Sequence, residues 1–243
     1  MKKTILIKFG GSLFTNENNR KQFWQDVKNL KQDGANVVIV HGGGKEISSW
    51  IEKVGSEVKF VNGLRYTDEE IMNIVEMVLS GLVNKQLVTE FGENCLGISC
   101  RDSNIIIADQ VKELGLVGKP FKTNISIIEK LLDAGITPII SPVSSDKNGQ
   151  HLNVNADDAA NALAIALKAD ALVFMTDMEG VLDDKKMVIS VLDKKLAEDY
   201  KASGVINGGM IPKIDSAFLA IAQGVKMVNI VGSILSEQGT KIV

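Results

Sequence analysis

The sequence predicts an α/β fold, a three-layer αβα sandwich built on a mostly parallel central sheet with β-hairpin excursions. Three observations predict it. Short apolar runs alternate with segments whose apolar residues recur at helical spacing, the pattern of βαβ units whose sheet is covered on both faces. The first apolar run ends directly in Gly10-Gly11, and the second reaches Gly42-Gly43-Gly44 after one histidine. Two turn signals, Asn62-Gly63 and Asp146-Lys147-Asn148-Gly149, interrupt the alternation with hairpins.

Ile5 to Phe9 reads as the first strand, and Phe23, Val27 and Leu30 follow on one face of a helix that Gly34 ends. Val37 to Val40 is a second buried strand. Ile47, Trp50, Ile51 and Val54 mark the next helix, and Val58 to Tyr66 forms a hairpin around Asn62-Gly63. Thr67-Asp68-Glu69-Glu70 is a capping box opening a helix with Ile71, Ile74, Val75, Val78 and Leu82 on its apolar face. Ile105 to Ala108 and Leu114 to Val117 read as short strands of an antiparallel excursion. Ile127, Ile128, Leu131 and Leu132 belong to a helix closed by Gly135. Ile136 to Val143 is a strand, Leu152 and Val154 flank the second hairpin, and Ala156 to Ala169 is a helix. Ala171 to Met175 and Lys226 to Val231 are later strands, with helices at Leu192 to Tyr200 and Ile211 to Ala222. No linker or repeat divides the chain, so two lobes sharing one continuous sheet are expected, with a boundary near residue 168.

At 243 residues the chain can bury a large core. A net charge of -3 leaves no global basic footprint, so no nucleic acid is expected as a partner. No apolar run approaches the ~20 residues of a membrane span. The first run is too short for a signal h-region and is cut by Lys8, so no signal sequence is expected. A cytoplasmic protein with no membrane association is expected. Cys95 and Cys100 form no CxxC pair and have no histidine cluster beside them, so they read as reduced thiols rather than a zinc site or a disulfide framework.

Five segments carry residues that could do chemistry. Lys8 stands against the apolar pattern at the carboxyl end of a strand, where open α/β sheets place ligands, and Gly10-Gly11 lets backbone amides approach an anion. A surface lysine before a glycine turn is the plainer alternative. His41-Gly42-Gly43-Gly44 repeats strand, glycines and helix, and the helix start adds partial positive charge. His41 itself reads as structural. The segment is neither a GxxxxGK[ST] loop nor a GxGxxG fingerprint, because Ile47 stands where the latter needs glycine. Arg65, just past the hairpin turn, is either a carboxylate clamp or a solvated surface arginine. Asn153-Val154-Asn155-Ala156-Asp157-Asp158 precedes an apolar helix with more polar residues than one N-cap requires. Lys213, in Gly209-Met210-Ile211-Pro212-Lys213, opposes the helix dipole unless an anion offsets it. Thr176-Asp177, after a buried strand, is a further loop suited to a nucleotide.

In this order the segments resemble the amino-acid kinase family, over nearly the whole chain. The forms Asn62-Gly63-Leu64-Arg65 and Asn153-Val154-Asn155-Ala156-Asp157 most resemble its members that act on N-acetyl-L-glutamate. The resemblance implies the amino-acid kinase fold and ATP-dependent phosphorylation of a small-molecule carboxylate. It implies that Lys8 and Lys213 flank the transferred phosphoryl group and that Asp157 orients both. Backbone amides of Gly10, Gly11 and Gly43 would meet phosphoryl oxygens, and Gly43, Gly44, Arg65 and Asn153 would bind the acylamino acid. Thr176, Asp177, Gly209, Met210 and Ile211 would hold ATP. The Mg2+ would be carried by ATP, with no metal ligand from the protein. Residues 1–168 would form the acylamino-acid lobe carrying the phosphate-loop glycines, and residues 169–243 the ATP lobe.

Three departures qualify the resemblance. Relatives often carry Gly-Lys where this chain has Cys100-Arg101, its end after Asn229 is shorter, and no helix precedes the first strand. A homodimer insensitive to arginine is therefore expected. An aminoadipate derivative, acetylated or carrier-linked, remains an alternative substrate, because one methylene is discriminated only modestly. A catalytically silent ligand sensor on the same fold is the alternative outside the enzymes.

Overall fold

The computed structural model describes residues 2–10, 16–61, 63–234 and 238–243. Along the chain it forms β1 (Thr4–Phe9), α1 (Glu17–Gln32), β2 (Asn36–His41), α2 (Gly44–Lys53), β3 (Phe60–Val61) and β4 (Leu64–Arg65). Next come α3 (Glu69–Glu76), a π-helical segment (Met77–Val83), α4 (Asn84–Phe91), β5 (Cys95–Ser99), β6 (Ile106–Gln110) and β7 (Val117–Thr123). They are followed by α5 (Ser126–Asp133), β8 (Thr137–Ser141), β9 (Val143–Ser145), β10 (His151–Val154), α6 (Ala156–Ala166) and β11 (Ala171–Met175). The last elements are β12 (Val191–Leu192), α7 (Lys194–Ala202), α8 (Met210–Ala222), β13 (Val228–Val231) and β14 (Thr240–Ile242).

Eight strands make one open sheet in the order β12-β14-β13-β11-β1-β2-β8-β5. Its pairings are parallel from β13 to β5, and only β13–β14 is antiparallel. Alternate residues of each strand enter opposite core layers. Leu6, Val38, Val40, Leu172 and Phe174 pack with α5, α6 and α8, while Ile7, Ile39 and Val173 pack with α1 through α4. This two-sided burial is the αβα sandwich that the apolar runs predict. The two hairpin excursions meet each other: β6, β7, β9 and β10 close into a small four-stranded barrel. β3 and β4 form a separate two-stranded ribbon, with Phe60 opposite Arg65.

Several boundaries differ from expectation for identifiable reasons. The cap of α3 is Asp68, whose carboxylate accepts from the Ile71 amide, while the Thr67 hydroxyl bonds the Arg65 carbonyl. Leu82, expected inside, is 51% exposed, and Leu79 and Val83 are buried instead. The π segment adds a residue to the turn and rotates the helix beyond it. Leu114 lies in a 3-10 turn, so the second strand of that excursion starts at Val117. The strand expected over 136–143 is divided at Pro142, which has no amide hydrogen for the ladder. Edge strand β5 escapes the sequence pattern because Gly97 breaks its apolar run. One helical stretch among the described residues, Glu69–Phe91, is long and apolar enough to cross a membrane by length and composition, contrary to the expectation that no such run exists. Half of it is buried inside the fold, where it lines the core on the α1 side of the sheet.

Candidate active site

Chain parity brings the charged residues together. Lys8 lies two residues beyond Leu6 and shares its face of the sheet, toward α6 and α8. Asn155 caps α6, its side-chain oxygen accepting from the amides of Asp157 and Asp158. That leaves the Asp157 carboxylate free of capping duty in the first turn. Lys8 Nζ lies 2.9 Å from one of its oxygens and Lys213 Nζ, from the first turn of α8, lies 3.0 Å from the other. The conflict between Lys213 and its helix dipole is therefore offset by a resident anion. Lys213 also sits 5.3 Å from the centre of the Phe174 ring.

Burial pushes the Asp157 carboxyl up, but the two ammonium groups outweigh it and hold its pKa at about 2. Burial pushes Lys213 down, with Lys8 adding to the effect and Asp157 opposing it. Two ammonium groups on one carboxylate leave an excess positive charge, and the starts of α6 and α8 add to it. Asp158 is pushed up by burial and by its neighbour Asp157. Such a cluster attracts an anion at the carboxyl ends of the strands.

A cleft of about 820 Å³ opens from this cluster. Of the candidate residues, Lys8, Gly43, Gly44, Arg65, Asn153, Asp157 and Gly209 line it. Gly10 lies at the same place: a Cβ there would come within 3.0 Å of Lys8 Nζ. A Cβ on Gly43 would approach Leu79 to 2.7 Å, so this turn needs glycine for space. At Gly10 a side chain would take up room beside the Lys8 ammonium, as in a phosphate cradle, whereas at Gly43 the glycine is required by packing against Leu79 and Val83. Gly11 and Asn62 lie outside the described residues.

Arg65 is a buried side chain, not a solvated one. Its Nη2 donates to the Gly44 carbonyl and to Ser48 Oγ, each at 2.9 Å, and its guanidinium lies 4.8 Å from the Phe60 ring. Its Nη1 is buried and has no hydrogen-bond partner among the described residues. Burial pushes the guanidinium pKa down, though arginine keeps its charge at neutral pH. An anionic oxygen would satisfy the orphaned Nη1. Asn153 donates to Thr67 Oγ1 at 3.1 Å, which fixes its side chain at the cleft wall.

Thr176, Asp177 and Ile211 do not line this cleft, and neither does Lys213, which reaches it through Asp157. Met210 lines a second cavity of about 270 Å³ with Met178, Val181, Leu182, Ile206 and Asn207, all from the chain beyond residue 169. Sequence reasoning missed Ser48, Phe60 and Leu79 as cleft residues. Ser48 gives one signal, its position one helical turn after Gly44.

Comparison with known proteins agrees with the motif order. The model of the amino acid kinase family matches residues 3–232. An acetylglutamate kinase of Caldanaerobacter subterraneus is 48% identical over 238 residues, covering 94% of this chain and 80% of that protein. An acetylglutamate kinase of Aquifex aeolicus is 42% identical over 265 residues, covering 98% and 89%. Among solved structures, the protein smu.665 of Streptococcus mutans superposes with a TM-score of 0.89 at 34% identity, covering 100% of this chain and 99% of that one. With a family match over nearly its whole length and relatives this similar, the chain belongs to the amino acid kinase family.

Proposed function

We propose that this enzyme is an acetylglutamate kinase, transferring the γ-phosphoryl group of ATP to the side-chain carboxylate of N-acetyl-L-glutamate, the second step of arginine biosynthesis. The observation that carries the reading is the cleft itself. One end is lined by Lys8 and by Asp157, whose carboxylate also pairs with Lys213 behind it, and the same cleft is lined by a buried arginine with an orphaned nitrogen. The relatives named acetylglutamate kinase support the choice of substrate.

In this reading Arg65 Nη1 takes the α-carboxylate, and Asn153 and the Gly44 region hold the acetylamino group. The side-chain carboxylate, with a solution pKa of about 4.3, is already ionised at neutral pH and needs no general base. One of its oxygens attacks the γ-phosphorus as the bond to the β–γ bridging oxygen breaks, and ADP leaves with the electron pair. The obstacle is bringing an anion to a polyanion, so positioning and charge stabilisation do most of the catalysis. Lys8, Lys213 and the amides of Gly10, Gly11 and Gly43 would meet the transferred group, with Asp157 orienting the lysines. The Mg2+ is assigned to the ATP phosphates. Gly209 and Thr176-Asp177 are assigned to the nucleotide, and the apolar cavity at Met210 suits an adenine ring. Residues 1–168 thus serve the acceptor and residues 169–243 the ATP.

We assign the enzyme to the cytosol as a homodimer. Supporting the dimer are exposed Met77 and Leu82 on one helix and exposed Leu96 on β5, the end strand of the sheet. Light scattering should give twice the chain mass; a monomer would count against it. The activity is tested by trapping the acyl phosphate with hydroxylamine after incubation with MgATP and, separately, N-acetylglutamate, N-acetylaminoadipate, glutamate and aspartate. Hydroxamate should form chiefly with N-acetylglutamate. Preference for the aminoadipate derivative would move the enzyme to that substrate, and no product with any acceptor would point to a ligand sensor.

A further inference from the structure

His41 is fully buried at the end of β2 and touches the glycine turn through its own ring. Its Nδ1 lies 2.9 Å from the Gly42 carbonyl oxygen. A carbonyl only accepts, so Nδ1 carries the proton. Its Nε2 lies 3.1 Å from Asn84 Nδ2, which also donates to the Ile139 carbonyl at 2.9 Å. Asn84 Oδ1 in turn accepts from Lys85 Nζ at 3.2 Å. Donors and acceptors therefore run in one direction, from Lys85 through Asn84 and His41 to the Gly42 carbonyl. Both ring nitrogens specify the same tautomer.

The destination of this chain gives it a use. The Gly42 carbonyl and the Gly43 N–H belong to one peptide plane. No cis peptide bond occurs among the described residues, so the two groups point in opposite directions. Holding the carbonyl against His41 turns the Gly43 N–H away from the imidazole, and Gly43 lines the cleft. The fold makes specific room for the arrangement. A Cβ at Gly97 would lie 2.0 Å from Asn84 Oδ1, so Asn84 fits only because β5 has glycine there. The π segment ends at Val83, directly before Asn84. Its extra residue rotates α4 by about 100° and turns Asn84 inward.

We propose that His41 and Asn84 are positioning residues, fixing the Gly42–Gly43 peptide so that the Gly43 N–H is aimed at the anion bound in the cleft. The inference rests on the kinase reading above, in which that anion is the transferred phosphoryl group. Burial, aided by nearby Lys85 and opposed by the Gly42 bond, holds the imidazole pKa at about 4, so the ring stays neutral in its assigned tautomer at neutral pH.

Two measurements test it. Nitrogen-15 NMR of the wild-type ring should show a protonated Nδ1 and a bare Nε2; the opposite tautomer overturns the proposal without any variant having to fold. The second compares H41N, whose side-chain NH2 overlays Nδ1 and keeps the donor to Gly42, with H41Q, whose amide overlays Nε2 and loses it. H41Q should lower kcat by about 10- to 100-fold, less than outright removal of an anion-binding donor, with the acceptor KM nearly unchanged. H41N should restore most of the rate at a similar Tm. Equal kcat in the two variants would reduce His41 to a space-filling residue. A wild-type enzyme that transfers no phosphoryl group counts against the kinase reading; a wrong tautomer in an active enzyme counts against this inference alone.

Discussion

Asp157 pairs with two lysines at once, accepting a hydrogen bond from Lys213 on one oxygen and forming an ion pair with Lys8 on the other, and this single residue decides how the site reads. With its pKa near 2 it is ionised throughout the neutral range, so Lys8 and Lys213 are held in place before any ligand arrives. In the proposed reaction they stabilise charge that moves through the transition state. K8A and K213A should each lower kcat by about 10²- to 10³-fold while leaving the acceptor KM within a few-fold, measured by coupled ADP release. R65A should do the reverse, raising the acceptor KM with a smaller change in kcat, because in the proposed complex Arg65 meets a group that does not react. An unchanged KM in R65A would remove the carboxylate clamp. At this scale the sequence was informative wherever a polar residue broke a pattern: Lys8 ends an apolar strand, Lys213 opposes a helix dipole, and Asp157 exceeds what a cap needs. It was silent on Ser48, whose role depends on where the β3–β4 hairpin carries Arg65.

The glycine turn between β2 and α2 is built by several elements together. Leu79 and Val83 of the π segment press on Gly43 from one side, and α2 begins on the other. G43A would drive a methyl group into Leu79. It should destabilise the protein by about 1–3 kcal/mol in urea unfolding and depress kcat beyond what the stability loss explains. Wild-type stability and turnover would show that the turn adapts freely. The main alternation of strands and helices was legible because buried parallel strands are nearly all apolar. The π segment was not, because a run such as Met77 to Val83 is apolar at every spacing and does not reveal its winding. β5 was hidden for a related reason: it carries exposed Leu96 and Gly97 where a central strand would carry a continuous apolar row.

Across the whole molecule, the buried neutral His41 couples folding to pH. Its folded pKa of about 4 lies below the ordinary value of 6.5, so the unfolded chain binds more protons between those values. Stability must then rise with pH through this window and fall on acidification. Between pH 7 and pH 5 the loss from this one group should be about 2 kcal/mol, read as the difference between wild type and H41N in the pH dependence of urea unfolding, which cancels the carboxylates common to both. The same pH dependence in wild type and H41N would mean that His41 is not buried in its neutral form. At this scale the fold class was predictable from alternation alone. The closure of two hairpins into a barrel was not, because it depends on pairing between strands distant in sequence.

The proposed reaction depends on two ammonium groups serving one phosphorus atom. The most direct test is a crystal structure with MgADP, aluminium fluoride and N-acetylglutamate bound. The account predicts that Lys8 Nζ and Lys213 Nζ each lie within about 3 Å of a fluoride of the same phosphoryl mimic, the reach of a charge-assisted hydrogen bond. A complex in which only one lysine reaches the mimic, or in which it sits outside the Gly10 and Gly43 turns, would contradict it.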